Sequence, residues 1–265
     1  MSQYIHAVKA GNIGDVWKHF CLYELWEQLR KGREVSLYLE THAGAGYYEL
    51  TEANRDQWGP GIGAILEHSG SAFNRHPLVT GLIARRGDVW LYPGSVAVAG
   101  KFIRPEAMHL FEANGAVADM LQRHMPGANI HREDGWSGSI RVLRAAGGTG
   151  HPVIFIDPPY KDERDWRLVP EIAGQALELD AGSIIIGWYP IDSGDGASLL
   201  IRSLQGLGKP AFAVDCVVYP ESEDSGRLIG SGMFVVNVGD DDIAGRLERL
   251  SAELREAMSA RRANS

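Results

Sequence analysis

Val153-Ile-Phe-Ile-Asp-Pro-Pro-Tyr160 reads as a buried β-strand that runs into a rigid polar elbow with an aromatic ring at its tip. The two prolines fix φ and have no N–H, so the elbow is stiff and its carbonyls have few local donors to occupy them. Such a loop suits chemistry on a planar amine. An exocyclic amino group of adenine or cytosine, or a carboxamide, is a poor nucleophile because its lone pair is delocalised. A site that uses it must hold its hydrogens with acceptors, here Asp157 Oδ and the Pro158 carbonyl, and clamp its plane, here by stacking on Tyr160. A bare Asp-Pro-Pro would more simply be a turn at a strand exit. The terminal aromatic and the four preceding apolar residues favour an amino-methylation site.

Working outward, Val35-Ser-Leu-Tyr-Leu39 is a second β-rich run. It leads through Glu40-Thr-His-Ala-Gly-Ala-Gly46 into Tyr47-Tyr48-Glu49-Leu50. A strand, a G-x-G loop and a helix form the turn at which α/β sheets bind nucleotides, because glycine admits close backbone approach. Further runs are Met108–Phe111 before Glu112, Ile130-His131 before Asp134, and Ser183–Pro190. Ala211–Tyr219 and Met233–Val238 read as a final strand pair joined by the polar loop 220–232. Ile13 to Arg30 has apolar residues at 13, 16, 17, 20, 22, 25, 26 and 29, an amphipathic helix whose polar face carries Asp15, Lys18 and His19. Ile243 to Met258 repeats that spacing as a closing helix. This alternation predicts an α/β fold, a mostly parallel twisted sheet with helices on both faces and ligands at the carboxyl ends of its strands. Residues 51–95 break the alternation and are expected to form a helical insertion subdomain, with the core in 1–50 and 96–265.

A chain of 265 residues with 45% apolar content can bury a full core. No stretch approaches the roughly 18 apolar residues of a spanning helix and Met1–Lys18 has no signal-peptide apolar segment, which predicts a cytoplasmic location. Cys21 and Cys216 are too far apart in sequence, and too apolar in surroundings, to suggest a disulfide framework or a zinc site, so buried free thiols are expected and no metal. The net charge of -8 argues against a non-specific nucleic-acid coat, so an RNA substrate would need a local basic face. Candidates are Lys9 and Lys18, Arg85-Arg86, Lys101 with Arg104, and Lys161, Arg164 and Arg167.

Tyr4-Ile-His6, Gly11-Asn12, Asp15, Lys18-His19, Thr41-His-Ala-Gly-Ala-Gly46, Tyr92-Pro-Gly-Ser95, Asp134-Gly135, Asp157-Pro-Pro-Tyr160, Trp188-Tyr-Pro190 and Ser231-Gly-Met233 occur in the order found in the RlmJ family, which the chain resembles from residue 4 to about residue 238. The resemblance implies a Rossmann-like class I methyltransferase that moves a methyl group from S-adenosyl-L-methionine to adenine N6 in 23S ribosomal RNA, leaving S-adenosyl-L-homocysteine. It places the cofactor at His19, His42, Ser95, Glu112, Asp134, Gly135 and Asp157, to which the reading of the glycine turn adds Gly44 and Gly46. It assigns catalysis to Asp157, with Pro158 and Tyr160 added by the reading of the elbow, and substrate contact to Tyr4, to which His6, Lys18 and Tyr160 are added, with the segment 1–34 folding over cofactor and base. The expected partner is 23S rRNA, free or in early assembly, met by a monomer without metal or membrane. The family reads His-Ala-Gly-Asn-His near the N-terminus, whereas this chain has Lys9 and Ile13 at the histidine positions, and it is shorter within 51–95, the region expected to help dock RNA.

Other readings of the same elbow are a DNA adenine or cytosine methyltransferase, a protein glutamine methyltransferase, and an idle S-adenosylmethionine- or RNA-binding module. Duplex DNA work requires sequence reading and base flipping, for which the insertion is small. Glutamine methylation usually has Asn, not Asp, before Pro-Pro.

Overall fold

The apolar runs become one seven-stranded sheet in the computed structural model, which describes residues 9–32, 34–67, 72–148, 150–217, 229–239 and 241–259. Numbered along the chain, β6 (Asn129–His131), β5 (Met108–Phe111), β1 (Tyr38–Glu40), β7 (Val153–Ile156) and β8 (Ile184–Ile191) pair in that order, all parallel. β10 (Gly230–Val236) then runs antiparallel between β8 and the edge strand β9 (Ala211–Val217). The loop expected to join β9 and β10 falls largely outside the described residues.

Helices cover both faces, which is why the central strands are continuous apolar runs instead of alternating ones. Tyr38, Val153, Phe155, Ile184 and Ile186 turn towards one core, shared with α1 (Ile13–Gly32) and α10 (Asp241–Ser259). Leu39, Ile154, Ile156 and Ile185 turn towards the other, built with α7 (Gly135–Ala146), α8 (Glu163–Leu179) and α9 (Gly196–Gln205). The closing stripe at 243, 247, 250 and 254 is buried against α1, where Trp17 Nε1 donates to Ser251 Oγ at 2.8 Å and Arg246 pairs with Glu24. This is the Rossmann-like, mostly parallel sheet expected from the sequence. Both cysteines are free and buried.

One local expectation is corrected, and two regions show features that the sequence left open. Gly46 leads into a strand, β2 (Tyr47–Leu50), not a helix. More than half of the segment 51–95 is helical, in short α, 3-10 and π-helical turns, but it also carries two strands. Its short helices, α2 (Arg55–Trp58), α3 (Ala64–Glu67) and α4 (Pro77–Leu82), are joined by β3 (Ala84–Arg86) and β4 (Val89–Pro93), which with β2 form an antiparallel sheet in the order β2-β4-β3. Its cross-strand pairs Tyr48↔Tyr92 and Leu50↔Trp90 are the aromatic and apolar matches that stabilise such a sheet, and they come from segments some forty positions apart. The polar face of α1 is covered, since Asp15, Lys18 and His19 are all buried.

The insertion also grips the start of α1. A five-residue π-helical turn, Gly59–Gly63, presses Gly61 so close to the chain at Gly11-Asn12 that a Cβ on it would lie 2.2 Å from the Gly11 carbonyl oxygen. Ile62 N–H donates to that same oxygen at 2.9 Å. Only glycine permits this approach.

Candidate active site

The loops leaving β1, β5, β6 and β7 are laced together at one end of the sheet. Thr41 N–H donates to the Phe155 carbonyl at 3.1 Å, Ala43 N–H to Phe111 at 2.9 Å, and Glu112 N–H to His131 at 3.0 Å. The β6–α7 loop is pressed onto the loop after β1, since a Cβ on Gly135 would lie 1.9 Å from the Thr41 carbonyl oxygen. Gly44 and Gly46 take positive φ of 61° and 84°, which L side chains rarely adopt. Their loop is held by Ala45 N–H donating to Tyr48 Oη at 3.1 Å and Gly94 N–H donating to the Gly46 carbonyl at 2.8 Å.

Around this loop stand the carboxylates read from the sequence. Glu112, directly after β5, accepts from the Asn114 N–H at 2.8 Å and is touched by the Gly44 backbone. Burial holds its pKa above the ordinary carboxylate range. Asp134 caps α7 by accepting from Ser137 N–H and Oγ at 3.1 and 3.0 Å. His42 lies between Thr41 Oγ1, 2.8 Å from its Nδ1, and the edge of Trp136. Burial pushes its imidazole down to about 4 against the pull of Asp157 and Asp134, so it is neutral at physiological pH.

α1 closes the site from above. Lys18 Nζ sits 2.8 Å from Asp157 Oδ2 and 3.0 Å from Asp15 Oδ1, and 5.6 Å from the centre of the Trp188 ring. Burial opposes its charge, but the two carboxylates outweigh that and raise its pKa. Asp15 is itself fixed, accepting from Gly11 N–H at 3.2 Å while its own N–H donates to Asn12 Oδ1 at 3.0 Å. Among the described residues, Asp157 Oδ2 is the oxygen that is occupied. Next to Lys18, and one turn on from Asp15, His19 Nδ1 meets Tyr92 Oη at 2.8 Å.

Glu40, the last residue of β1, is wholly buried, with Tyr38 Oη 2.6 Å from Oε2 and Ser95 Oγ hydrogen-bonded to Oε1. Burial, reinforced by Asp157 nearby, pushes its pKa up to about 8, so the acid is mostly protonated at neutral pH. Beyond Asp157, Pro158 is buried, Pro159 exposed, and Tyr160 takes a positive φ of 49°. Tyr160 Oη donates to the Trp188 carbonyl at 2.9 Å and its ring packs on Trp166 with centroids 4.4 Å apart. A non-glycine residue in that backbone region is held there by its surroundings, a feature that clusters at functional sites.

His19, His42, Gly44, Gly46, Ser95, Glu112, Asp134, Gly135 and Asp157 are thus joined, directly or through one neighbour, to a single cluster of strand-end loops. Lys18, expected to meet the substrate, is buried on Asp157. Tyr4 and His6 lie outside the described residues. Asp15, Glu40, Tyr92 and Trp188 were quoted within motifs but given no role by sequence reasoning. For Glu40 the available signal was an acid ending an apolar strand.

The family model described as "Ribosomal RNA large subunit methyltransferase D, RlmJ" matches residues 34–261. The chain is 28% identical over 247 residues to ribosomal RNA large subunit methyltransferase J of Escherichia coli strain K12, spanning 89% of this chain and 87% of that one. It is 25% identical over 248 residues to the protein of the same name in Haemophilus influenzae, with the same coverage. A crystal structure of a Legionella pneumophila protein shares the fold, with TM-score 0.76 at 21% identity over 93% of this chain and 94% of that one. With the family model spanning the glycine loop, the capped α7 and the Asp-Pro-Pro-Tyr elbow, the chain belongs to the RlmJ family of large-subunit ribosomal RNA methyltransferases.

Proposed function

We propose that this protein transfers a methyl group from S-adenosyl-L-methionine to the exocyclic N6 of an adenine in 23S ribosomal RNA. One observation carries the reading. β1 and β7 are adjacent and parallel, so the glycine turn after one and the Asp157 elbow after the other stand side by side at the same end of the sheet.

The donor set fits that cofactor. Glu112, half-buried with backbone N–H groups on one side, suits the ribose hydroxyls, Asp134 with the Gly135 backbone suits an adenine edge, and the 44–46 turn, with its glycines at positive φ, is the strand-end turn beside which the methionine portion would lie. Bound there, S-adenosylmethionine supplies an electrophilic methyl on a sulfonium. The protein's part is to aim the amine. With Lys18 on Oδ2, Asp157 presents Oδ1, and Pro158 its carbonyl, to the two N6 hydrogens. That turns the nitrogen lone pair out of conjugation and into line with the methyl. Tyr160, its hydroxyl pinned by Trp188, offers a fixed ring against which the base lies. The nitrogen becomes strongly acidic as the new bond forms, so its proton leaves after transfer and no strong base is needed. Alignment and desolvation then account for most of the rate, an effect of roughly 7 to 11 kcal/mol in well-aligned systems.

An N6 amine must be unpaired and unstacked to enter the site, which favours rRNA that is free or in early assembly as the substrate. Incubation with labelled S-adenosylmethionine and an unmodified 23S transcript, followed by nucleoside analysis, should yield N6-methyladenosine. Label in cytosine or guanine, or preferential modification of duplex DNA, would refute the assignment.

A further inference from the structure

A protein of net charge -8 that works on RNA must gather cations locally. Many of its exposed arginines are already neutralised: Arg30 pairs with Glu27, Arg132 with Asp119, Arg141 with Glu133 and Arg167 with Glu171. The edge strand β3 differs. All three of its residues are exposed, two of them are Arg85 and Arg86, and neither has a carboxylate partner among the described residues. The one acid in the hairpin is Asp88, in the turn. Successive strand residues point to opposite faces, so the two guanidiniums flank the edge of the sheet. Arg85 is partly ordered, with Nε donating to the Gly87 carbonyl at 3.1 Å and its guanidinium 5.2 Å from the centre of the Trp90 ring, its direct cross-strand partner. Arg86 is restrained by no described side chain.

The position of this edge matters as much as its charge. β4, to which β3 is paired, continues two residues past Trp90 to Tyr92, which holds His19, and the chain just beyond the strand reaches Ser95, which holds Glu40. At about 3.3 Å per residue, Trp90 lies about 7 Å along the strand from Tyr92. The edge is therefore within a short stretch of nucleic-acid strand of the cleft. Unpaired arginines beside an aromatic ring, on a sheet continuous with the cofactor loop, match a phosphate backbone in charge and geometry.

We propose that β3 is the docking edge for the ribosomal RNA backbone flanking the target adenine, with Arg85 and Arg86 contacting phosphates. The inference rests on the methyltransferase reading above and names where that reaction holds its substrate. The test uses the full chain with Arg85→Gln, Arg86→Gln and both together, methylating a 23S transcript across a range of salt. The double variant should raise KM for RNA at least about ten-fold. It should flatten the dependence of log KM on log salt by roughly 1.4, two contacts at about 0.7 each. kcat at saturating RNA and calorimetric affinity for S-adenosylmethionine should not change. Arg86→Gln, which removes no described intramolecular contact, should show half of the slope change with an unaltered melting temperature. Wild-type turnover combined with an unchanged KM and salt slope in the variants overturns the docking edge while sparing the reaction. A wild-type protein that binds S-adenosylmethionine but modifies no RNA overturns the reaction, and the docking edge with it.

Discussion

Glu40 and Asp157 stand at the ends of neighbouring parallel strands, at the same end of one sheet, yet they differ in what rests on them. Over Asp157 lies α1, whose Lys18 places an ammonium 2.8 Å from one oxygen. Among the described residues, the hydrogen-bond partners of the Glu40 carboxyl are hydroxyls, from Tyr38 and Ser95. The first is a paired ion with an oxygen to spare, and the second an acid whose pKa is pushed up to about 8. The strand end delivers a carboxyl group to the cleft, and the element packed above it decides its chemistry. Glu40 accordingly acts as a strut that ties the start of α5 (Ser95–Ala99) to β1, whereas Asp157 is free to receive an amine.

The sharpest way to break this contrast is to remove the receiving group. Asp157→Ala should lower turnover by about 10³-fold or more while calorimetry still records S-adenosylmethionine binding, because orientation of the amine is lost and the cofactor's other partners are kept. Retained turnover would deny Asp157 its role. Next is the element above it. Lys18→Met leaves the buried Asp15 and the partly exposed Asp157 side by side without a cation, and should cost roughly 3 to 5 kcal/mol in denaturant unfolding as well as most of the activity. A loss below about 1 kcal/mol would mean that the triad contributes little. Gly61→Ala probes the grip of the insertion on α1 without touching either carboxyl. It should cost about 1 to 3 kcal/mol by overpacking against Gly11 and lower kcat through Asp15 and Lys18, whereas Gly59→Ala, whose added Cβ meets nothing nearer than 3.5 Å, should be mild.

The smallest change at neutral pH is expected for Glu40→Gln. A carboxyl raised to about 8 in the folded protein binds a proton that the unfolded chain has already released above about 4.5. Its contribution to stability is thus full below pH 4.5 and is lost as pH rises to 8. Unfolding free energies measured from pH 5 to 9 should fall with pH in the wild type and run flatter in the variant. Equal slopes would show that Glu40 does not titrate in that window.

Much of the site was legible before any coordinates. The Val153–Tyr160 run, the 41–46 loop and the acids at 112 and 134 are local patterns, each a strand followed by the residue type its exit needs, and each lies where the alternation placed it. The small β2-β4-β3 sheet was hidden because its pairing joins Tyr48 to Tyr92 across helices, and neither strand is decisive alone. What covers the polar face of α1 was hidden for a related reason. Periodicity shows which side of a helix is polar but not whether water or another carboxylate lies against it, and here Asp157, contributed by a strand 139 positions away, takes that place.

The sequence by itself determined the strand pattern, the stiffness of the elbow and the identity of the chemical groups, since these depend on neighbours a few residues apart. Tertiary structure alone decided that Lys18 faces Asp157, that Glu40 is sealed from water and protonated, and that Gly61 must be a glycine. Each of those depends on burial and on distances of a few ångströms between segments far apart in the chain, and both are created only when the sheet and its covering helices come together.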